Sequence, residues 1–113
     1  MMEELPQIIT NFINAANNYD TQGFLATFSN DAIIKEDSLG KLLVGKNEIQ
    51  HYFESYFIDY QTQTEILTYT TSENIIDMKV LFTGNFPGGE INGLFRFNLN
   101  DEGQISNLEA DLE

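Results

Sequence analysis

The sequence predicts an α+β domain in which three N-terminal helices pack on one face of a curved antiparallel sheet. Two observations predict it. Apolar residues recur at helical spacing as far as Tyr60, and from Thr62 onward they alternate with polar ones. The strings Thr71-Ser72-Glu73, Gly84 to Gly89 around Pro87, and Asn100-Asp101-Glu102-Gly103 then divide the alternating part into four pieces. Helices followed by a meander give a layered fold with the helices on one side.

In the first segment Ile8, Ile9, Phe12, Ile13, Ala16 and Tyr19 form one stripe, and Pro6 suits a first turn, so a helix is expected over residues 6–18. Asp20 reads as the N-cap of a shorter helix with Phe24, Leu25 and Phe28 on one face, ending near 29–31. Residues 32–36 read as a short extended stretch and 37–45 as a polar, glycine-marked loop. A third helix starts there. Its Ile49, Tyr52, Phe53, Tyr56 and Phe57 lie within about 140° of one another at ~100° per residue, a wide buried stripe. Strands are expected at 62–70, 74–83, 90–99 and 104–112.

Alternation sorts the strand faces. Ile76, Met78, Val80 and Phe82 share one face, as do Ile91, Gly93, Phe95, Phe97 and Leu99, and then Ser106, Leu108, Ala110 and Leu112. These sets should face the helices. With the turns centred as above, Phe95 falls between Met78 and Leu108, and Gly93 between Val80 and Ala110. Three small side chains then meet on an otherwise bulky inner surface. Either a helix side chain fills that gap, as close packing favours, or an apolar ligand pocket remains. The outer face carries Asp77, Lys79, Leu81, Asn92, Leu94, Arg96, Asn98, Ile105, Asn107, Glu109 and Asp111. Arg96, the only arginine, should pair across strands with Asp77, and Leu81, Leu94 and Ile105 would form an apolar patch suited to a subunit contact.

Composition narrows the functions. At 113 residues the chain is expected to form a single domain. Eighteen acidic against five basic side chains, a formal charge of -13, argue against nucleic acid as a partner, which needs clustered Lys and Arg. The absence of cysteine removes disulfides, a thiolate nucleophile and Cys-based zinc sites. The start Met1-Met2-Glu3-Glu4 has neither the basic end nor the apolar run of a signal peptide or membrane span, so a cytoplasmic protein without a membrane partner is expected. The only histidine, His51, lies nearly opposite the apolar stripe of helix three, which leaves no His–Asp dyad and no histidine metal cluster, and no cofactor is expected. Tyr19, Tyr52, Tyr56 and Tyr60 are candidates for lining a cavity, each an aromatic body with one hydroxyl to satisfy.

The segment Phe12 to Asp20, the run Phe24 to Ala32 with its Phe28-Ser29-Asn30-Asp31-Ala32, the helix start Gly45-Lys46-Asn47-Glu48-Ile49, and Phe95-Arg96-Phe97 resemble the nuclear transport factor 2-like, or SnoaL-like, superfamily. The resemblance covers nearly the whole chain. It implies a cone of curved sheet closed by helices, an interior used for ligands or catalysis, and dimerisation through the outer sheet face. Ketosteroid isomerase, which works with an Asp base and a Tyr and protonated-Asp oxyanion hole, is a comparison within it. By that comparison Glu36 takes the general base's place, while the two oxyanion donors fall on Phe12 and Gly93, which have no donor to offer. Losing one such donor costs about 2.7–4 kcal/mol in well-studied enzymes. Ketosteroid isomerase activity is therefore rejected.

Glu36 survives as a candidate acid or base, because desolvation at an apolar mouth disfavours a carboxylate's charged form. A solvent-exposed strand end between Lys35 and Asp37 explains it equally well. The function expected is the binding of a small apolar molecule against Phe12, Tyr19, Tyr52, Tyr56, Met78, Val80, Gly93, Phe95, Phe97, Leu108 and Ala110. The alternatives are an enzyme of the cyclase, isomerase or dehydratase type using Glu36, and a dimeric association module.

Overall fold

Residues 5–113 are described by the computed structural model, Ser38 by its backbone alone. The Met1-Met2-Glu3-Glu4 start lies outside the described residues. Helix α1 spans Gln7–Asn17 and buries Ile9, Phe12, Ile13, Ala15 and Ala16. Asp20 caps α2 (Thr21–Ala26), accepting a hydrogen bond from the Gly23 backbone N–H at 3.0 Å. That helix ends earlier than its sequence suggests. Phe28-Ser29-Asn30-Asp31 resembles a helix end, yet the Thr27 carbonyl accepts from Ile105 N–H and Phe28 pairs with Ile105, so β1 occupies Phe28–Glu36. The expected loop contains a 3₁₀ turn, Asp37–Leu39, and a strand, β2 (Lys41–Val44). β2 is a four-residue edge strand whose Leu42 and Val44 are exposed, so it has no buried period to read. Helix α3 (Gly45–Phe53) runs into a π-helical turn, Glu54–Ile58.

The four expected strands are present as β3 (Gln63–Ser72), β4 (Ile75–Thr83), β5 (Glu90–Leu99) and β6 (Ile105–Leu112). All six strands form one sheet in the order β2-β1-β6-β5-β4-β3, with β1 parallel to β6 and every other pair antiparallel. The fold is α+β, with the helices on the inner face of the curved sheet.

Between β4 and β5 the register is the expected one, with Met78 opposite Phe95 and Val80 opposite Gly93. Between β5 and β6 it is displaced by two. Leu99 pairs with Ile105, one residue beyond the expected turn, and a bulge between Asn98 and Leu99 adds a second step. Ala110 therefore faces Phe95, Leu112 faces Gly93, and Leu108 faces Phe97. A displacement of two keeps every side chain on its face: Phe95 and Phe97 are buried while Leu94 and Arg96 are exposed. The supposed meeting of Gly93, Val80 and Ala110 is a correction, because Gly93 and Ala110 are not partners. Ile105 is a second correction. The bulge turns it inward, where it is fully buried, so it is lost from the outer apolar patch.

On the outer face Arg96 donates to Asp77 through Nε at 2.7 Å and Nη2 at 3.2 Å. On the inner face Phe12 meets Phe24, Phe95 and Phe97 with ring centroids 4.9, 5.8 and 5.1 Å away, and Phe24 stacks on Phe53 at 4.1 Å. Aromatic pairs at such distances add to the burial that seats the helices on the sheet. Among the described residues no helix is long and apolar enough to cross a membrane.

Candidate functional site

Alternation along β1 sends Ala32, Ile34 and Glu36 inward, and Glu36 is the last of the three. Helix α3 turns Ile49, Tyr52 and Phe53 toward the same interior. The two elements bring Tyr52 and Glu36 together: the phenolic O–H donates to Glu36 Oε2 at 2.9 Å, with Glu36 6% and Tyr52 8% exposed. Burial, then the charge and hydrogen bond of Glu36, then Tyr56, push the Tyr52 phenol well above its ordinary range. Tyr52 is therefore held as a hydrogen-bond donor.

This pair borders a cavity of about 260 Å³. The sheet contributes Phe82, Ile91, Phe95, Ala110 and Leu112, the 3₁₀ turn Leu39, and the β4–β5 hairpin Phe86. The helical side contributes Tyr52, Tyr56, Phe57 and Tyr60, with Thr62 just after it. The π-helical turn explains why tyrosines four apart share one wall. In an α-helix, steps of four drift by about 40° each, and the wider turn offsets that drift. Tyr52, Tyr56, Tyr60 and Phe86 follow one another with centroid spacings of 5.6, 6.3 and 6.1 Å.

The structure gathers Glu36, Tyr52, Tyr56, Phe95 and Ala110 from the expected set around this cavity, together with Tyr60. Phe12, Met78, Val80, Phe97 and Leu108 are packed into the closed core instead. Tyr19 lies elsewhere, its hydroxyl accepting from Gln63 Nε2 at 2.8 Å. The space over Gly93 is occupied by the Phe82 ring. The expected gap is thus filled, by a strand side chain. The open volume lies farther along the strands, where Phe82, Ile91 and Leu112 already had inward parity; Leu39 and Phe86 come from a turn and a hairpin that carry no periodic signal. Asp111 also borders the cavity, although as the strand partner of Leu94 it belongs to the outer face. His51 is exposed.

No protein-family model matches the chain, and neither does any curated protein. Solved structures do. A protein described as a polyketide cyclase from Sinorhizobium meliloti superposes with a TM-score of 0.86 at 24% identity over 94% of both chains. SalBIII, an epoxide hydrolase/cyclase-like enzyme in pyran ring formation of the polyether salinomycin, gives 0.83 at 19% identity over 95% of this chain and 88% of its own. A Mycobacterium tuberculosis protein in complex with estradiol-17beta-hemisuccinate gives 0.81 at 20% identity over 92% and 89%. At these identities the likeness is one of fold.

Proposed function

We propose, from the nuclear transport factor 2-like fold that this chain shares with those structures, that it binds a small, largely apolar molecule in the cone cavity and orients it through Glu36 and Tyr52. One observation carries the reading: a buried carboxylate and phenol, 2.9 Å apart, sit at a cavity whose remaining wall is mostly aromatic and aliphatic. Few polar groups among many apolar ones is the usual make-up of small-molecule sites. The volume, about 260 Å³, falls just below the usual range of ~300–1,000 Å³, so the ligand is small. The steroid conjugate held by the mycobacterial neighbour supports a ligand-binding use of this fold. Native mass spectrometry of the purified protein tests the reading. A retained adduct in wild type that is lost on Phe95→Trp, which narrows the cavity, is the expected result, and an adduct retained equally by both overturns it.

A second reading is favoured by the Tyr52–Glu36 hydrogen bond itself: an enzyme in which Glu36 moves a proton and a tyrosine hydroxyl polarises the substrate. The cyclase descriptions of two neighbours support it. Steroid isomerisation of the ketosteroid isomerase kind is not part of it, since Phe12 is packed among rings and Gly93 is covered by one. Glu36→Gln should then abolish turnover of a bound substrate while leaving its binding intact. We also propose that the protein acts in the cytoplasm, and as a homodimer through the outer sheet face, supported by exposed Leu94 beside the Arg96–Asp77 pair. Leu94→Asp should shift sedimentation toward the monomer, and a wild type that stays monomeric at high concentration removes the proposal.

A further inference from the structure

We infer that the cavity takes an organic cation, a protonated amine on an apolar or aromatic body, and turns anionic ligands away. The inference rests on the binding reading above and adds the charge of the occupant. Among the described residues, the charged ones that border the cavity are Glu36 and Asp111, and no Lys, Arg or His borders it. Three of the five basic side chains lie beside other carboxylates, and Lys41, the strand partner of Glu36, does not line the cavity. Lys35 lies near Asp37, Lys79 near Glu113 and Arg96 on Asp77, each at an exposed position, while Lys46 borders no part of the cavity. A whole-chain charge of -13 adds an attractive field for cations.

Inside the cavity the match is more specific than net charge. An ionised carboxylate has about four lone-pair sites, so Glu36 can accept from an ammonium alongside the partners it already has, Tyr52 among them. A buried charge is tolerated where a partner of opposite sign receives it, and Glu36 is that partner for a cation and an opponent for an anion. The aromatic wall favours the same sign. Tyr60 and Phe86 stand nearly perpendicular, at 87° with centroids 6.1 Å apart, and Tyr56 continues the wall at 6.3 Å from Tyr60. A cation seated over the face of one of these rings meets negative electrostatic potential. Asp111, whose Oδ1 accepts from Leu112 N–H, adds negative charge beside the opening without needing to touch the ligand.

The test uses three probes with one body at pH 7: 1-naphthylmethylamine, 1-naphthalenemethanol and 1-naphthoate, titrated calorimetrically into the purified protein. The amine should bind 1:1 at least about tenfold more tightly than the alcohol, and the naphthoate most weakly. Glu36→Gln should erase the amine's advantage while the alcohol's affinity stays within about threefold. Phe86→Leu, at the hairpin, should weaken the amine more than the alcohol and keeps the inference testable if Glu36→Gln does not fold. An alcohol or carboxylate that equals the amine in wild type overturns the cation inference and leaves the cavity reading standing. So does an amine advantage that survives both substitutions, since it would then belong to the acidic surface. If none of the three probes binds, both readings fall.

Discussion

The ring of Phe82 lies over Gly93, in the place that any side chain at position 93 would take; its Cδ2 and Cζ are 3.0 and 3.1 Å from where a Cβ would stand. Phe82 is also a wall of the cavity and meets Phe95 and Phe57 edge-on. Gly93→Ala must therefore displace a ring that two other rings hold. Overpacking of this kind costs about 1–3 kcal/mol. Urea unfolding should show a loss of that size, and probe binding should weaken in the same variant.

The Tyr52–Glu36 hydrogen bond predicts an alkaline signature. The folded-state phenol is raised above its unfolded value, so its contribution to stability is whole below about pH 10, the unfolded tyrosine value, and is lost as pH rises from there toward the folded value. Stability measured by urea unfolding should fall with pH above about 10 in wild type and fall less steeply in Tyr52→Phe. Near pH 7 the same substitution should cost about 1–3 kcal/mol, because Glu36 loses a buried donor. Equal alkaline slopes would show that the phenol is not held protonated by its surroundings.

Asn17 pairs with β3 as a neighbouring strand would. Its Nδ2 donates to the Thr64 carbonyl at 3.0 Å and its Oδ1 accepts from Thr64 N–H at 2.7 Å. Asn17→Ala should cost about 1–3 kcal/mol in denaturant, since it removes the partners of both backbone groups of Thr64. Asn17→Asp keeps the acceptor but sets a carboxylate against the Thr64 carbonyl, so it should not restore wild-type stability.

Ile105 tests the bulge. Simple alternation puts it on the outer face, where Ile105→Ala would change stability little, whereas the bulged register buries it completely. Truncation of a buried isoleucine costs about 2–5 kcal/mol. A thermal or urea midpoint close to wild type would favour the unbulged register.

These residues also show what the sequence can and cannot disclose. Parity made the inner face legible: the period of two assigns Phe95, Phe97 and Ala110 to the interior, and a displacement of two residues leaves that assignment untouched. The same displacement moved the neighbours of Gly93, and the location of a void depends on neighbours rather than on faces. Tyr52, Tyr56 and Tyr60 were visible as aromatic bodies with a hydroxyl to satisfy, and Glu36 through the family resemblance. Leu39 and Phe86 were not visible, because turns and hairpin tips place side chains by backbone geometry that no periodicity encodes. Strand β2 was hidden for a related reason, since an exposed edge strand has no buried face to imprint on the sequence.

The parallel seam between β1 and β6, which sets Glu36 beside Ala110, has a consequence for biosynthesis. As the chain leaves the ribosome, α1 to α3 emerge first with Phe12, Phe24 and Phe53, the rings that the finished sheet covers. Long-range pairings of this kind close late, and uncovered aromatic surface invites misassociation in the meantime. Until β6 pairs with β1 the sheet that covers those rings is incomplete, and the cavity, whose wall includes Ala110 and Leu112, is complete only then.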